Sequence, residues 1–141
     1  MGIVWLEARE INQFQNELVS EHGGLPGPPD EGALESTLAR PQQLLAYETA
    51  RTIFDLAASY GYGFARNHCF PDGNKRVALA SIDVFLMLNG HELTAPEAEA
   101  VITMNALADG RMSENDLSAW IESNATALRQ EMRGEVGNVS Q

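Results

Sequence analysis

Cysteine, positive charge and long apolar runs are all scarce in this sequence of 141 residues. The single cysteine, Cys69, excludes an internal disulfide and a cysteine-based metal centre. No apolar run approaches the length of a membrane span. Residues 1–9 lack the cationic start and apolar stretch of a secretory signal. We therefore expect a cytoplasmic protein that does not enter a membrane.

Positive charge is not only scarce but unevenly placed. Nine Lys and Arg stand against twenty Asp and Glu, so the formal net charge is −11. This balance argues against a broad basic face that binds nucleic acid directly. Arg66, Lys75 and Arg76 nevertheless lie close to His68, and Lys75 is the only lysine in the sequence. Such a cationic island suits an anion site in an acidic protein, although it could equally offset nearby acids on a solvated face.

Helical spacing of apolar residues dominates the chain, and no alternating run is long enough to predict a sheet. At most, a short hairpin is expected within residues 23–29 or near residues 91–93. We predict an all-α fold: a compact single-domain helical bundle over residues 1–133, with a flexible tail at residues 134–141. The central, mostly buried helix is expected at residues 77–88, directly after the cationic island.

Helix boundaries follow from capping residues and prolines. Asp30 is a candidate N-cap for a short helix that Pro41 would end, and a longer helix is expected over about residues 41–64. The stretch from Thr94 to Glu97 matches a capping box. Ser113 would open a last helix that extends to Leu128.

The chemistry is expected in the loop of residues 66–76, immediately before the predicted central helix. Gly73 leaves room for a ligand to approach the unpartnered backbone N–H groups of a helix N-terminus, where phosphate oxygens bind. Asn74, Lys75 and Arg76 would add side-chain donors there, and Arg66 is a further candidate for phosphate binding. Asp72 is placed to hold a divalent cation that neutralises the phosphates.

Two more residues of this loop have predicted roles. His68 would act as the general base that takes the proton from an attacking hydroxyl. Phe70 would be an apolar anchor that fixes the loop to the core. Each residue also has an ordinary structural interpretation, since Asp-Gly is first of all a turn signal. The functional interpretation rests on their order and on the buried helix that follows.

This order of residues resembles the conserved loop of the Fic/Doc (Fido) superfamily, whose pattern is H-x-F-x-(D/E)-(G/A)-N-(G/K)-R. The sequence has His68-Cys69-Phe70-Pro71-Asp72-Gly73-Asn74-Lys75-Arg76 at this place. Residues 23–27, 46–48 and 85–90 are similar to the Doc (death-on-curing) branch, so the resemblance covers about residues 6–128. Cys69 replaces the proline that usually follows the histidine.

The resemblance implies a helical bundle around the loop and a transfer of a phosphate-containing group from ATP, with Mg²⁺, to a protein hydroxyl. It assigns His68 as general base, Asp72 to magnesium, and Gly73, Asn74, Lys75 and Arg76 to the phosphates. Members of the Doc branch act as protein kinases on a translation elongation factor, halt growth, and are silenced by a Phd-like antitoxin.

Two positions favour the Doc branch over adenylyltransferases. Nucleotide-transferring members usually have glycine at the position of Lys75 and a second arginine at that of Leu79. A Doc-type protein kinase toxin is therefore the first hypothesis. A protein adenylyltransferase and a non-catalytic binding module are the alternatives. An internal inhibitory helix is a minor possibility, because residues 118–123 nearly match its pattern, with Glu122 as the inhibitory glutamate.

Overall fold

A computed structural model describes residues 2–128, which form six α-helices and one two-stranded antiparallel sheet. The prediction of an all-α fold is confirmed. The predicted domain end at residue 133 and the predicted tail at residues 134–141 lie outside the described residues. Within residues 2–128, no helix has the length and apolar character needed to cross a bilayer. The elements are α1 (Ala8–His22), α2 (Glu31–Tyr47), α3 (Ile53–Arg66), α4 (Asn74–Leu88), β1 (His91–Leu93), α5 (Glu97–Ala108), α6 (Glu114–Ser123) and β2 (Ala125–Ala127).

Two helices, α3 and α4, form the centre of the bundle. They pack on each other, and α3 also packs on α2 and α6. The prediction of one central helix at residues 77–88 was therefore incomplete, because α3 is the more buried of the two. On α4, Met87 and Leu88 are exposed. The buried residues of α3 are Leu56, Ala57, Ala58, Ser59, Tyr60, Gly61, Gly63, Phe64 and Ala65.

Small residues let the neighbouring helices approach α3 closely. A Cβ at Gly61 would collide with the Ile82 side chain of α4, and one at Gly63 would lie 2.7 Å from Cγ2 of Thr37 on α2. A Cβ at either position would force the neighbouring side chain to shift, so glycine at these positions allows the close approach of the helices. The loop that joins α3 to α4 therefore starts and ends on helices that are fixed against each other.

Helix α2 continues through Pro41 to Tyr47, so the prediction that Pro41 ends this helix was wrong. Leu34, Thr37 and Pro41 are the buried residues of α2, and their spacing places them on one face. Proline costs a backbone hydrogen bond inside a helix. Here its ring is buried with that face, and tertiary packing outweighs local propensity.

A turn at residues 48–52 separates α2 from α3, whereas one longer helix was expected over residues 41–64. Thr52 is the reason for the break. Its hydroxyl accepts from the N–H of Asp55 at 3.1 Å, and the Asp55 carboxylate accepts from the N–H of Thr52 at 3.1 Å. This capping box starts α3 afresh.

The small sheet joins distant parts of the chain. His91 pairs with Ala127 and Leu93 with Ala125, so β1 pairs with a strand that follows α6 and not within a local hairpin. The last helix accordingly ends at Ser123, and Leu128 lies beyond it. The capping box expected at Thr94 is absent from α5, whose N-cap is Pro96. The Thr94 hydroxyl donates instead to the Asn124 carbonyl at 2.9 Å.

Candidate functional site

The N-terminus of α4 has the features of an anion site. Gly73 is its N-cap, with a left-handed φ of 80°, and no side chain caps the helix. The N–H groups of Asn74, Lys75 and Arg76 have no acceptor within the helix, and the helix dipole adds partial positive charge there. A Cβ on Gly73 would meet nothing within 4 Å. Glycine is therefore needed here for its backbone conformation, and the space beside it is open.

The side chain of Asn74 holds the loop together. Its Oδ1 accepts from the Phe70 N–H at 3.0 Å, and its Nδ2 donates to the Phe70 carbonyl at 2.9 Å. Phosphate binding was predicted for Asn74, but both ends of its amide are used inside the loop. One N–H of its amide and its backbone N–H remain for a ligand.

Cys69 and Phe70 attach the loop to the core. Both side chains are buried and belong to the main hydrophobic cluster. Burial raises the pKa of the Cys69 thiol above its ordinary value. Cys69 is therefore a neutral, buried group, and reactive thiolate chemistry is not expected of it.

Asp72 is oriented by the loop between α1 and α2. Its Oδ2 accepts from the Leu25 N–H at 3.1 Å, and its Oδ1 accepts from the Gly73 N–H at 2.8 Å. A Cβ at Gly24 would lie 2.9 Å from the same Oδ2. These two N–H bonds leave further lone pairs on the carboxylate.

This contact between the two loops was not predicted from the sequence. Residues 23–29 read only as an irregular turn region, although the glycine pair at residues 23 and 24 was a usable sign of close approach. Gly27 similarly sits against the ring of Pro71, where a Cβ would be 2.9 Å from Cγ.

A cavity of about 550 Å³ opens at this loop. The volume is in the usual range for a small-molecule site. Its polar side contains Pro71 and six of the seven residues predicted for chemistry or ligand binding. These six are His68, Asp72, Gly73, Asn74, Lys75 and Arg76. Its other side, from α3, α4 and α5, consists of Ala65, Leu79, Val101, Met104, Asn105 and Ala108.

The contribution of α5 to the cavity was missed at the sequence level. Val101, Met104, Asn105 and Ala108 follow the spacing of one helix face. Such a stripe is ordinarily taken for core. Only the fold shows that this face lies opposite the N-terminus of α4.

Arg66 is the predicted site residue that does not line the cavity. Its Nη1 donates to the Leu107 carbonyl at 3.1 Å, and its guanidinium lies 5.4 Å from the centroid of the Tyr62 ring. These contacts tie the end of α3 to the end of α5. The structure therefore gives Arg66 a structural position, and the expectation that it binds phosphate finds no support in this geometry.

Lys75 and Arg76 have different surroundings from four other arginines of residues 2–128. Both are exposed at the cavity. Arg9, Arg40, Arg51 and Arg111 all form ion pairs with carboxylates, whereas within residues 2–128 no carboxylate oxygen lies within 4.0 Å of Lys75 or Arg76. Two unneutralised cations beside a helix N-terminus favour an anionic ligand.

His68 stands at the cavity in an unusual backbone conformation. Its φ is +50°, and among the described residues it is the only one besides glycine with a positive φ. This conformation costs about 1–2 kcal/mol for a residue with a Cβ. The imidazole is exposed and lines the cavity with Asp72 and the start of α4. A strained histidine at a cavity is typical of a functional site.

Comparison with known proteins identifies the family of the chain. Residues 5–86 match the model of the Fic/DOC family. A protein of Escherichia phage P1 named "Protein kinase doc" is 34% identical over 113 residues, which cover 80% of this chain and 89% of that protein. A "Toxin Doc" of Mycolicibacterium smegmatis is 40% identical over 67 residues, covering 47% of this chain and 52% of that protein.

The chain belongs to the Fic/DOC family. The relatives place it in the Doc branch, as the resemblance of the loop predicted.

Proposed function

We propose that this protein is a Doc-type toxin that transfers a phosphoryl group from ATP to a serine or threonine hydroxyl of another protein. The observation that carries the proposal is that His68, Asp72 and the phosphate-binding end of α4 line one cavity. The names of the two relatives, a protein kinase and a toxin, support it. By the family resemblance, the target is a translation elongation factor.

His68 is the general base of the proposed reaction. Its exposed imidazole takes the proton of the attacking hydroxyl, while the hydroxyl oxygen forms a bond to the terminal phosphorus of ATP. The bond between that phosphorus and the bridging oxygen breaks, and ADP leaves. Chemistry of this kind needs mainly positioning and neutralisation of charge.

The N-terminus of α4 supplies the neutralisation. Backbone N–H groups of residues 74–76 and the side chains of Lys75 and Arg76 donate to the phosphate oxygens. Within residues 2–128 neither side chain is paired with a carboxylate, so no ion pair of this part of the chain has to break before ATP binds.

Asp72 would hold a magnesium ion, which would neutralise charge on the phosphates of the nucleotide. Within residues 2–128 there is no cluster of three His, Cys, Asp or Glu that could hold a metal without a ligand. Magnesium typically uses one or two carboxylates together with phosphate oxygens and water, and one oriented carboxylate meets that need. When bound, the ion neutralises charge on the phosphates.

Lys75 favours transfer of the terminal phosphate over transfer of a nucleotide. Its side chain stands at the cavity where a glycine would leave room for an inner phosphate. Leu79 also lines the cavity and provides no second cation there. The adenylyltransferase alternative requires the inner phosphate to be seated in this same space.

Intact-mass spectrometry of the target tests the proposal. The protein is incubated with ATP, magnesium and a translation elongation factor. A mass increase of one phosphoryl group, with ADP released, is expected. Lys75→Gly and Arg76→Ala should lose this activity, whereas Arg111→Ala, at an exposed arginine away from the cavity, should retain it.

Other products would overturn the assignment. A mass increase of a nucleotide monophosphate, with release of pyrophosphate, would establish the adenylyltransferase alternative. An unmodified target together with tight binding of ATP would favour the non-catalytic binding module.

We also propose that a Phd-like antitoxin inhibits the protein in trans. Glu122, the candidate for an internal inhibitory glutamate, is an exposed residue of α6, and α6 contributes no residue to the cavity lining. The purified protein should be active alone and lose activity with antitoxin. If it is inactive until Glu122 is replaced by alanine, the inhibitor is internal and this proposal is wrong.

A further inference from the structure

Thr37 of α2 lies beneath the loop and contacts the residues on both sides of His68. It is fully buried, with 0% of its surface exposed. Its Oγ1 is 2.9 Å from Nδ2 of Asn67 and 3.5 Å from Sγ of Cys69. The Thr37 hydroxyl thus contacts both Asn67 and Cys69, the residues directly before and after His68.

The direction of each hydrogen bond follows from the chemistry of a hydroxyl. The Oγ1 of Thr37 has one proton, and it donates this proton to the Ala33 carbonyl at 2.7 Å. It therefore accepts from the Asn67 amide and, with its second lone pair, from the Cys69 thiol. All three hydrogen-bonding positions of this hydroxyl are used.

Further contacts hold Thr37, Asn67 and Cys69 in place. The Asn67 N–H donates to the Gly63 carbonyl at 2.9 Å, and the Asp30 N–H donates to the Cys69 carbonyl at 2.7 Å. The methyl group of Thr37 packs against Gly63, where a Cβ would be 2.7 Å from Cγ2. Residues 67 and 69 are therefore held on both sides of a residue whose φ is +50°.

We propose that Thr37 is a positioning residue for His68. By holding Asn67 and Cys69 at one point, its hydroxyl maintains the left-handed backbone of His68 and directs the imidazole into the cavity. Thr37 does not line the cavity and is not expected to touch ATP or the target. The effect on the reaction rests on the proposed function, whereas the effect on the backbone of His68 does not.

The test compares substitutions that separate the hydroxyl from the methyl group. Thr37→Val keeps the shape that packs against Gly63 and removes the hydroxyl. Thr37→Ser keeps the hydroxyl. Asn67→Ala removes the hydrogen bond from the Asn67 amide to the Thr37 hydroxyl. Because Asn67 is exposed, this variant tests the same contact even if Thr37→Val does not fold.

A matched control is present on α5. Thr103 is also buried, its hydroxyl also donates to a carbonyl four residues earlier, that of Glu99 at 2.9 Å, and it does not line the cavity. Thr103→Val should therefore keep the wild-type turnover.

We expect Thr37→Val and Asn67→Ala to lower kcat by about ten- to a hundredfold with little change in the KM for ATP, since a misplaced base slows the reaction without disturbing the phosphate site. Thr37→Ser should retain most of kcat. In NMR spectra, the His68 imidazole should give one sharp set of resonances in wild type, Thr37→Ser and Thr103→Val. It should shift or broaden in Thr37→Val and Asn67→Ala.

Three results would overturn the inference. The first is a wild-type kcat in folded Thr37→Val or in Asn67→Ala. The second is an equal loss of kcat in Thr37→Ser and Thr37→Val. The third is a set of unchanged His68 resonances in both Thr37→Val and Asn67→Ala. Failure of the proposed function looks different. If the wild-type protein transfers no phosphate while the His68 resonances change as expected, the positioning role stands and the reaction has been assigned wrongly.

Discussion

At the scale of single residues, His68 combines two properties that a mutation must separate. It is the proposed base, and it occupies a left-handed backbone conformation. Asparagine tolerates that conformation better than most residues but cannot act as a base at neutral pH. His68→Asn therefore removes the base with less disturbance of the backbone than His68→Ala.

We expect both variants to fold and to lose about 10²- to 10⁴-fold in rate. His22, which is exposed on α1, provides the control: His22→Asn should leave the rate unchanged. Rates of phosphoryl transfer to the target and thermal unfolding curves check this. Wild-type transfer by folded His68→Asn would exclude His68 as the base.

Residue types in the loop allowed the site to be predicted, but not every role. His68, Asp72 and the residues from Gly73 to Arg76 share one cavity because all of them come from one short loop and the helix turn that follows. Arg66 and Asn74 show where the sequence is insufficient. Both are polar residues of the correct type, but the Arg66 side chain contacts Leu107 on another helix, and the Asn74 side chain contacts Phe70 within the loop itself.

At the scale of elements, the loop between α1 and α2 supports Asp72 through a single close approach. Gly23 and Gly24 both have positive φ, so alanine strains the backbone at either position. Only at Gly24 would the new Cβ also collide with Asp72, at 2.9 Å from Oδ2. A comparison of Gly23→Ala with Gly24→Ala therefore separates the effect of backbone strain from the effect of displacing the Asp72 carboxylate.

We expect Gly24→Ala to raise the magnesium concentration needed for half-maximal transfer, and Gly23→Ala to leave it unchanged. Both should lose about 1–2 kcal/mol of stability. Magnesium titrations of the transfer rate, with unfolding by urea, measure the two effects. Equal magnesium dependence in both variants would mean that the contact with Gly24 does not orient Asp72.

The contact between α3 and α4 gives a prediction about stability. Alanine at Gly61 collides with Ile82. It should destabilise the fold by about 1–3 kcal/mol, the usual cost of overpacking. Gly32, near the start of α2, is the control, since a Cβ there would make only an ordinary contact at 3.6 Å with Asp30.

Gly32→Ala should stabilise the protein by about 0.4–1 kcal/mol. Urea unfolding of both variants measures the difference. If both substitutions shift the midpoint in the same direction, close helix packing at Gly61 is not what stabilises the bundle.

Helices were predicted well where capping and periodicity agreed, and poorly where packing decided. The starts of α2 at Asp30 and of α6 at Ser113 are confirmed, and both caps accept from a backbone N–H three residues later. The path of α2 through Pro41 could not be predicted, because the burial that compensates for proline comes from other helices. The pairing of β1 with β2 spans about thirty residues and leaves no local pattern.

At the scale of the whole molecule, the excess of negative charge makes stability depend on pH. Asp83 of α4 is partly buried. Burial, and then the charge of Glu92, raise the pKa of its carboxyl above the ordinary value. A carboxyl whose pKa is higher in the folded than in the unfolded state stabilises the fold when protonated. That contribution is complete below the unfolded pKa and is lost as the pH rises through the folded pKa.

Asp83→Asn should therefore be more stable than wild type at neutral pH and should lose less stability as the pH rises from acid to neutral. Glu35→Gln, at an exposed acid of α2, corrects for the general effect of removing one negative charge. Urea unfolding at a series of pH values provides the comparison. Parallel curves for wild type and Asp83→Asn would exclude Asp83 as a source of the pH dependence.

The far end of α4 offers a practical advantage. There Asn89 forms two hydrogen bonds with Val4, each of 2.9 Å, and the Leu128 N–H donates to the Gly90 carbonyl at 2.8 Å. The first and last described segments therefore meet about 22 Å from the loop before α4, the length of a helix of fifteen residues. Dyes, affinity tags or fused reporters attached through either segment would stand clear of the cavity. Binding and turnover could then be followed on labelled protein without obstructing the nucleotide.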